Sequence, residues 1–485
     1  MSKLILAIVT LVVAACGREA TRRGDTVLFA SGADLQSINP LLTVHPLARQ
    51  VQRYVLLMTL VRYDSLLVPQ PYLARGWRWS DHGRRLTFTL RTDVRWHDGR
   101  ATTARDVAWT LNAARDPATA YPRLYELASI ESIAAATDST ITLRFREPSW
   151  FAPDGVPDVL ADLAILPAHL LDTVPHERLR QASWNEKPVG NGPFRFVTHE
   201  PNRRWVFTRN ADFPADLGGP PRIGRLIIAV VDEPMVKLSA LVAGELDFAG
   251  VSPQHVAFVR KHTGLAVLDY PLIFPYALVL NTRRHPFDDL RVRLAVALAI
   301  DRREIVDGYL FGFGTVAEGP ALPGTPLYIS ESTIPFAPDS ARRWLAAQRN
   351  ASPLRFEILT VGSGEAPLEQ ILQRRLAAVG FDVTIRQVEL STFLDRVYSS
   401  RHDFTAAVMG IPGDPGLGFL RTLGDLTGIP LPADPRDDQR VLADQLPVVW
   451  LYHARGVQAM NSRVRGVRMD MRGELATVAA WRVQP

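Results

Sequence analysis

The chain reads as an α/β protein built from more than one domain, and three observations predict this. Strand-like and helix-like stretches alternate with short connections across 354–408, the pattern of βαβ units and of a parallel sheet. The chain's 485 residues exceed what one ordinary core organises, so two or three domains follow. Hydrophobic residues make up 47% and aromatics 8%, a balance that can bury a core rather than stay disordered.

The net charge of +5 does not point to nucleic acid. Only four of the 55 basic residues are lysines (Lys3, Lys187, Lys237, Lys261), and the arginines are scattered among 50 acids without a basic block. No nucleic-acid partner is therefore expected. At the N-terminus, Lys3 precedes an apolar run over 4–13 that is too short to span a bilayer. Val13, Ala14 and Ala15 then lead into Cys16, the single cysteine. This passage resembles the lipobox of bacterial lipoproteins, in which the cysteine is lipidated and becomes the first residue after cleavage. The other readings are an ordinary signal peptide with an incidental cysteine, or a buried thiol. With one cysteine no internal disulfide can form. The expectation is a signal peptide over 1–16, a tether over 17–25, and export to the periplasmic or cell-envelope side with a lipid anchor on Cys16.

In chain order, 26–30 is a short apolar strand that runs into Ser31, Gly32, Ala33 and Asp34. Such a loop of small residues either lets another backbone approach closely or is a plain surface turn. Across 77–115, the alternation of Leu86, Phe88 and Leu90 predicts a half-buried strand, and His97-Asp98-Gly99 a turn. Thr103 with Asp106 three residues on predicts a capped helix. His97 and Asp98 lack the further ligands that a metal or catalytic site needs, so a hydrogen-bonding turn is the better reading. Trp96 and Trp109 read as core contacts. Strands are predicted over 141–145, 204–209 and 225–231, and 165–171 continues into a helix. A helix over 235–246 stops at a glycine before a short buried strand. A strand over 274–282 follows, then two helices capped by Asp289 and by Asp301, the latter with Glu304 as a capping box. Strands over 354–360, 383–388 and 404–408 enclose helices over 368–379 and 391–398. The turn at 362–364 lacks the frame of a phosphate loop. A return strand over 447–453 and a final helix over 473–481 complete the reading.

Several passages carry a resemblance. The run W-R-W-S-D-H-G…V-R-W-H-D-G…T-A-R-D-V within 77–107 is one, and K-P-V-G-N-G-P-F-R-F at 187–196, with Asn191 for a common threonine, is another. G-E-L-D-F at 244–248, N-T…P-F-D-D-L-R-V-R…A-I-D-R over 281–302 and P-V-V-W-L-Y-H at 447–453 complete the set. Together they resemble the family 5 extracytoplasmic solute-binding proteins, the dipeptide and oligopeptide receptors of ABC importers. That resemblance implies a two-lobed α/β fold of the periplasmic-binding-protein type II kind with a subdivided first lobe. Its main domain would take 26–62, 189–270 and 447–485, its subdomain 63–188, and the second lobe 271–446.

The resemblance further implies a receptor that captures short peptides between two lobes and delivers them to the membrane permease subunits of an ABC transporter, working as a monomer without cofactor or metal. Asp414, in Met409-Gly410-Ile411-Pro412-Gly413-Asp414, is the candidate partner of the ligand's α-ammonium, with Gly410 and Met409 beside it; otherwise Asp414 is a turn aspartate before proline. Ser31, Gly32 and Asp34 would border the ligand. Between 420 and 446 the resemblance leads one to expect more helix than the short acidic, proline-containing stretch at 434–438 suggests. The alternative is a relative that takes haem, a nickel chelate or a sugar, or a sensor or chaperone-like lipoprotein. An enzyme is not expected, because no G-x-S-x-G, H-E-x-x-H or paired-carboxylate constellation is present.

Overall fold

The computed structural model describes residues 24–43, 45–330, 334–346, 354–432 and 434–484. Residues 1–23, with the expected signal peptide and Cys16, lie outside the described residues. The chain divides into two compact units. The first holds the chain up to Tyr63, Pro69–Leu268 and the end from Val457; the second holds Asp64–Val68 and Asp269–Gly456.

In the first unit the strand Thr26–Ser31 lies between two parallel partners. Arg225–Val230 pairs with it in full register from Thr26↔Arg225 to Ser31↔Val230, and Phe248–Gly250 flanks its other side. The helix Pro234–Val242 connects these two flanking strands, so it crosses over the central one. Antiparallel strands Arg204–Arg209 and Phe194–Glu200 extend the sheet on one side, and the end of Val448–Asn461 extends it on the other. Phe29, Phe248 and Trp481 stack through the core, with centroids 5.6 and 4.6 Å apart.

A separate antiparallel sheet of Ala74–Ser80, Arg85–Leu90, Thr140–Phe145 and Ile130–Thr137 carries the predicted Leu86, Phe88 and Leu90 on its buried face. The helix Ala104–Arg115 begins at Thr103, whose N–H donates to Asp106 at 2.8 Å. Trp96 is buried as predicted; Trp109 is only half-buried, edge-on to His176.

In the second unit Leu354–Val361 is parallel to both Phe381–Val388 and Ala406–Gly410, with the helices Pro367–Ala377 and Leu390–Tyr398 as the crossovers. This is the predicted βαβ arrangement. Ala406–Gly410 then pairs antiparallel with the end of Leu265–Leu280. Asp289 caps Leu290–Ala299, and Asp301 accepts from Arg303 N and Glu304 N. Glu304 does not complete a capping box, because its carboxylate is engaged by Arg374 and Arg375. The arginines of the same passage tie down main-chain carbonyls: Arg293 those of Gln445 and Phe287, Arg302 those of Trp450 and Ile334.

Four expectations change. The helix over 235–246 ends at Val242, since Gly244 takes φ +73° two residues on. The strand over 274–282 is the tail of a sixteen-residue strand, Leu265–Leu280. The stretch 434–438, read as short and poor in helix, opens the helix Pro435–Gln445, with Asp434 as its cap. No helix forms over 473–481, where only the single 3₁₀ turn Val478–Ala480 occurs. There Gly473 has φ +114°, Leu475 N is spent on the Gln50 side chain, and Trp481 turns in to stack on Phe248.

Asp162 shows how the first unit buries charge. It accepts from Arg49, Arg53 and Arg123. Burial alone would raise its pKa, but the three guanidiniums outweigh that and hold the carboxyl far below the usual range. Removing the charge leaves three cations crowded in a poorly solvated cluster. Asp162→Asn should therefore lower unfolding free energy by about 3 kcal/mol or more, read from the urea midpoint at neutral pH.

Candidate functional site

In the first unit the candidate segment lies at the carboxyl ends of the parallel strands, where open α/β sheets present ligand-binding loops. Ser31 is buried, and its hydroxyl donates to Ala33 O at 2.5 Å, closing a tight local turn. Val231 N donates to Ser31 O at 2.9 Å, so the loops after the two strands are tied together.

Asp34 is occupied on both oxygens. Trp205 Nε1 donates to Oδ1 at 2.7 Å, and Oδ2 receives Asn202 N at 2.7 Å and faces His199 Nε2 at 3.1 Å. The His199 ring stacks on Trp205 at 3.7 Å, which fixes both donors. Burial pushes the Asp34 pKa up, while the bonds from Trp205, Asn202 and His199 outweigh it and leave the pKa lowered. The structure thus gives Asp34 the task of anchoring the loop. Gly32 is exposed, and the ammonium of Lys237 lies directly over it.

In the second unit Met409 and Gly410 are the last residues of the strand Ala406–Gly410, not of the loop beyond it. Met409 is buried, with Sδ 4.0 Å from Tyr398 OH. Gly410 pairs opposite Tyr276 and is hemmed in by aromatic rings: a Cβ there would come 2.3 Å from Phe274 and 3.0 Å from Tyr276. Phe274, Tyr276 and Tyr452 form a run of ring contacts, at 5.5 and 4.7 Å. Burial raises the pKa of Tyr276 and Tyr452, so both keep their hydroxyl protons at neutral pH.

The chain continues alongside Leu265–Leu280 through Ile411 N to Pro275 O at 2.8 Å and Gly413 N to Ile273 O at 3.0 Å. This delivers Asp414, half-buried, to a turn in which Oδ1 accepts from Gly418 N at 2.9 Å. Oδ2 has no hydrogen-bond partner among the described residues. The segment therefore carries aromatic rings against Gly410 and, four residues on, a carboxylate held through one oxygen. Neither Lys237 nor the Phe274–Tyr276 wall was singled out from sequence; the apolar run over 274–280 was the only signal pointing to the second.

His97 and Asp98 serve the predicted hydrogen-bonding turn. His97 bridges Gly190 N and Gly192 O, and Asp98 bonds His169 at 2.7 Å. Among the described residues no group of His, Cys, Asp and Glu is placed to hold a metal ion. Nor is any helix of these residues long and apolar enough to cross a membrane.

The fold is that of the periplasmic-binding-protein type II class. Solved structures share this fold: CtaP, an ABC transporter substrate-binding protein of Listeria monocytogenes (TM-score 0.83, 16% identity, 95% of this chain and 100% of that one), and the oligopeptide-binding protein AppA of Bacillus subtilis with a nonapeptide (TM-score 0.74, 20% identity, 95% and 99%). The chain belongs to the bacterial extracellular solute-binding proteins, family 5, whose middle region matches residues 68–429. That is a family of solute-binding receptors, not of enzymes. The di/tripeptide-binding protein 2 of Pseudomonas aeruginosa is 27% identical over 445 residues, 85% of this chain and 78% of that protein. ABC transporter peptide-binding proteins of Brucella species are 28% identical over 329 residues, a stretch spanning 64% of this chain and 59% of theirs.

The anchoring of Asp34 has a measurable signature. Its pKa is lowered on folding, so its stabilisation is present above the unfolded value of 3.8 and is lost as pH falls through the folded value. Asp34→Asn should cost about 1–2 kcal/mol at pH 7 and lose that difference from wild type as the pH falls below the unfolded value of 3.8 and through the lower folded one, in paired thermal melts across pH.

Proposed function

We propose that this protein is the substrate-binding receptor of an ABC importer, capturing short peptides and delivering them to a membrane permease. Membership of family 5 supports the reading, as do relatives whose names state di/tripeptide and oligopeptide binding and a relative of the same fold solved with a nonapeptide. The observation that carries it is the half-buried Asp414 carboxylate. It stands four residues beyond a parallel strand with one oxygen engaged by Gly418, and the wall of Phe274 and Tyr276 flanks Gly410 at the end of that strand. A partly desolvated carboxylate pairs strongly with an α-ammonium. The wall's protonated tyrosines and apolar ring faces suit an adjoining peptide without demanding one side chain. Main-chain hydrogen bonds of the strand-addition kind would supply the remaining affinity. In the first unit Ser31 and Gly32 would offer loop contacts held in place by Asp34.

Native mass spectrometry of residues 17–485 tests this reading. A heterogeneous added mass of a few hundred daltons, lost on mild unfolding, is expected; one sharp adduct would replace the peptide reading with a single dedicated ligand. Asp414→Asn keeps an acceptor for Gly418 N and removes the charge. It should weaken peptide binding about 10- to 100-fold by calorimetry with little change in melting temperature. Unchanged affinity would rule out the ammonium assignment.

The small residues before Cys16 support lipid anchoring at that cysteine on the outer side of a membrane. Cys16→Ser should abolish incorporation of labelled fatty acid and move the protein from the membrane to the soluble envelope fraction. Retention in the membrane fraction without label would contradict it.

A further inference from the structure

We propose that Lys237 is a carboxylate-binding residue, placed over Gly32 to receive an acidic group of the ligand. This rests on the peptide reading above and adds a second, separately testable contact to it. The helix Pro234–Val242 springs from the carboxyl end of Arg225–Val230 and crosses the central strand, so its first turn hangs beside the loop that follows Ser31. Lys237 lies in that turn, half-buried, and its Nζ would be only 3.2 Å from a Cβ at Gly32.

Gly32 does not have a left-handed φ, so the backbone does not require glycine there. What glycine provides is room for the ammonium. The natural neutralising partner is Glu233, one turn earlier on the helix. Glu233 instead caps the helix, accepting from Val236 N at 2.7 Å, and no ion pair between it and Lys237 occurs among the described residues. Among the described residues Lys237 makes no ion pair and its side chain no hydrogen bond, and it is one of just four lysines in an arginine-dominated chain. A compact ammonium over a bare glycine backbone suits a single carboxylate oxygen, whereas a guanidinium fork would need more space. Met235 and Val236 beside it are about half exposed, at 50% and 54%, and offer apolar contact to the residue that bears the acid.

The acid is either the peptide's C-terminal carboxylate or an acidic side chain. Three tripeptide mixtures of otherwise matched composition separate these sources: free-acid, C-terminally amidated, and amidated with glutamate in last place. Dissociation constants are measured by competition for wild type, Lys237→Met and Lys237→Arg, with the melting temperature of each ligand-free variant as a folding control.

Wild type should prefer an acid-bearing mixture about tenfold or more over the plain amide. Lys237→Met should lose that preference while binding the amide as wild type does, and Lys237→Arg should keep part of it. A preference for the free acid assigns the C-terminus; a preference for amidated glutamate assigns the side chain. If Lys237→Met retains the full preference, the inference fails while the peptide reading stands. If wild type binds none of the mixtures, the peptide reading itself fails and takes the inference with it.

Discussion

The pairing of Asp247 with Arg463 is the constraint on which the first unit depends. Asp247 is almost fully buried, and Arg463 grips it in two bonds of 2.6 and 2.7 Å. The same carboxylate accepts Leu28 N at 2.9 Å, and the same guanidinium donates to Thr26 O at 2.8 Å. One ion pair thus fixes the start of the central strand, the segment leaving the crossover helix, and the returning end of the chain. A buried pair of this kind is tolerable only when its remaining donors and acceptors are satisfied, and here the main chain satisfies them. With the strand's start fixed and its register to Arg225–Val230 set, the Ser31–Asp34 loop emerges at a defined place beside the first turn of the helix that carries Lys237.

The abundance of arginine has its explanation in the same chemistry. Arg293 and Arg302 in the second unit and Arg463 in the first turn inward and donate to main-chain carbonyls that would otherwise be buried without partners. Burial lowers the Arg302 pKa to about 10, which still leaves it charged at neutral pH. These three are interior ties, while other arginines such as Arg105, Arg203 and Arg355 form ion pairs at the surface.

The fold was legible wherever local pattern and tertiary demand agree. The alternation in 85–90, the capped start at Thr103 and the βαβ rhythm of 354–410 are all local signals, and all appear in the structure. The failures arise where a distant contact overrides the local pattern. Over 473–481 the composition permits a helix, but Gln50 takes a backbone N–H and Phe248 takes the Trp481 ring. At 434–438 the short acidic stretch suggested little helix, although Asp434 before Pro435 is helix-start chemistry that could have been read. Prolines 271 and 275 hid the first half of the long strand Leu265–Leu280. Asp34 was visible as a residue but not as an anchor, because its donors Trp205 and Asn202 are far along the chain.

Gly32 and Gly410 show what sequence could and could not convey about the candidate segments. A glycine in a loop is usually read as backbone freedom, yet neither residue has a positive φ. At Gly410 two aromatic rings occupy the space a side chain would need, while at Gly32 a Cβ would sit in tight contact with the ammonium tip of Lys237. Each bare backbone position is thereby coupled to a group with opposite chemical character, a hydrated charge in one unit and an apolar wall in the other. A methyl group at Gly410 would therefore have to displace rings packed within the strand pair, whereas at Gly32 it would have only to push aside the tip of one lysine. The same residue type is thus a packing requirement in one unit and a loosely coupled position in the other.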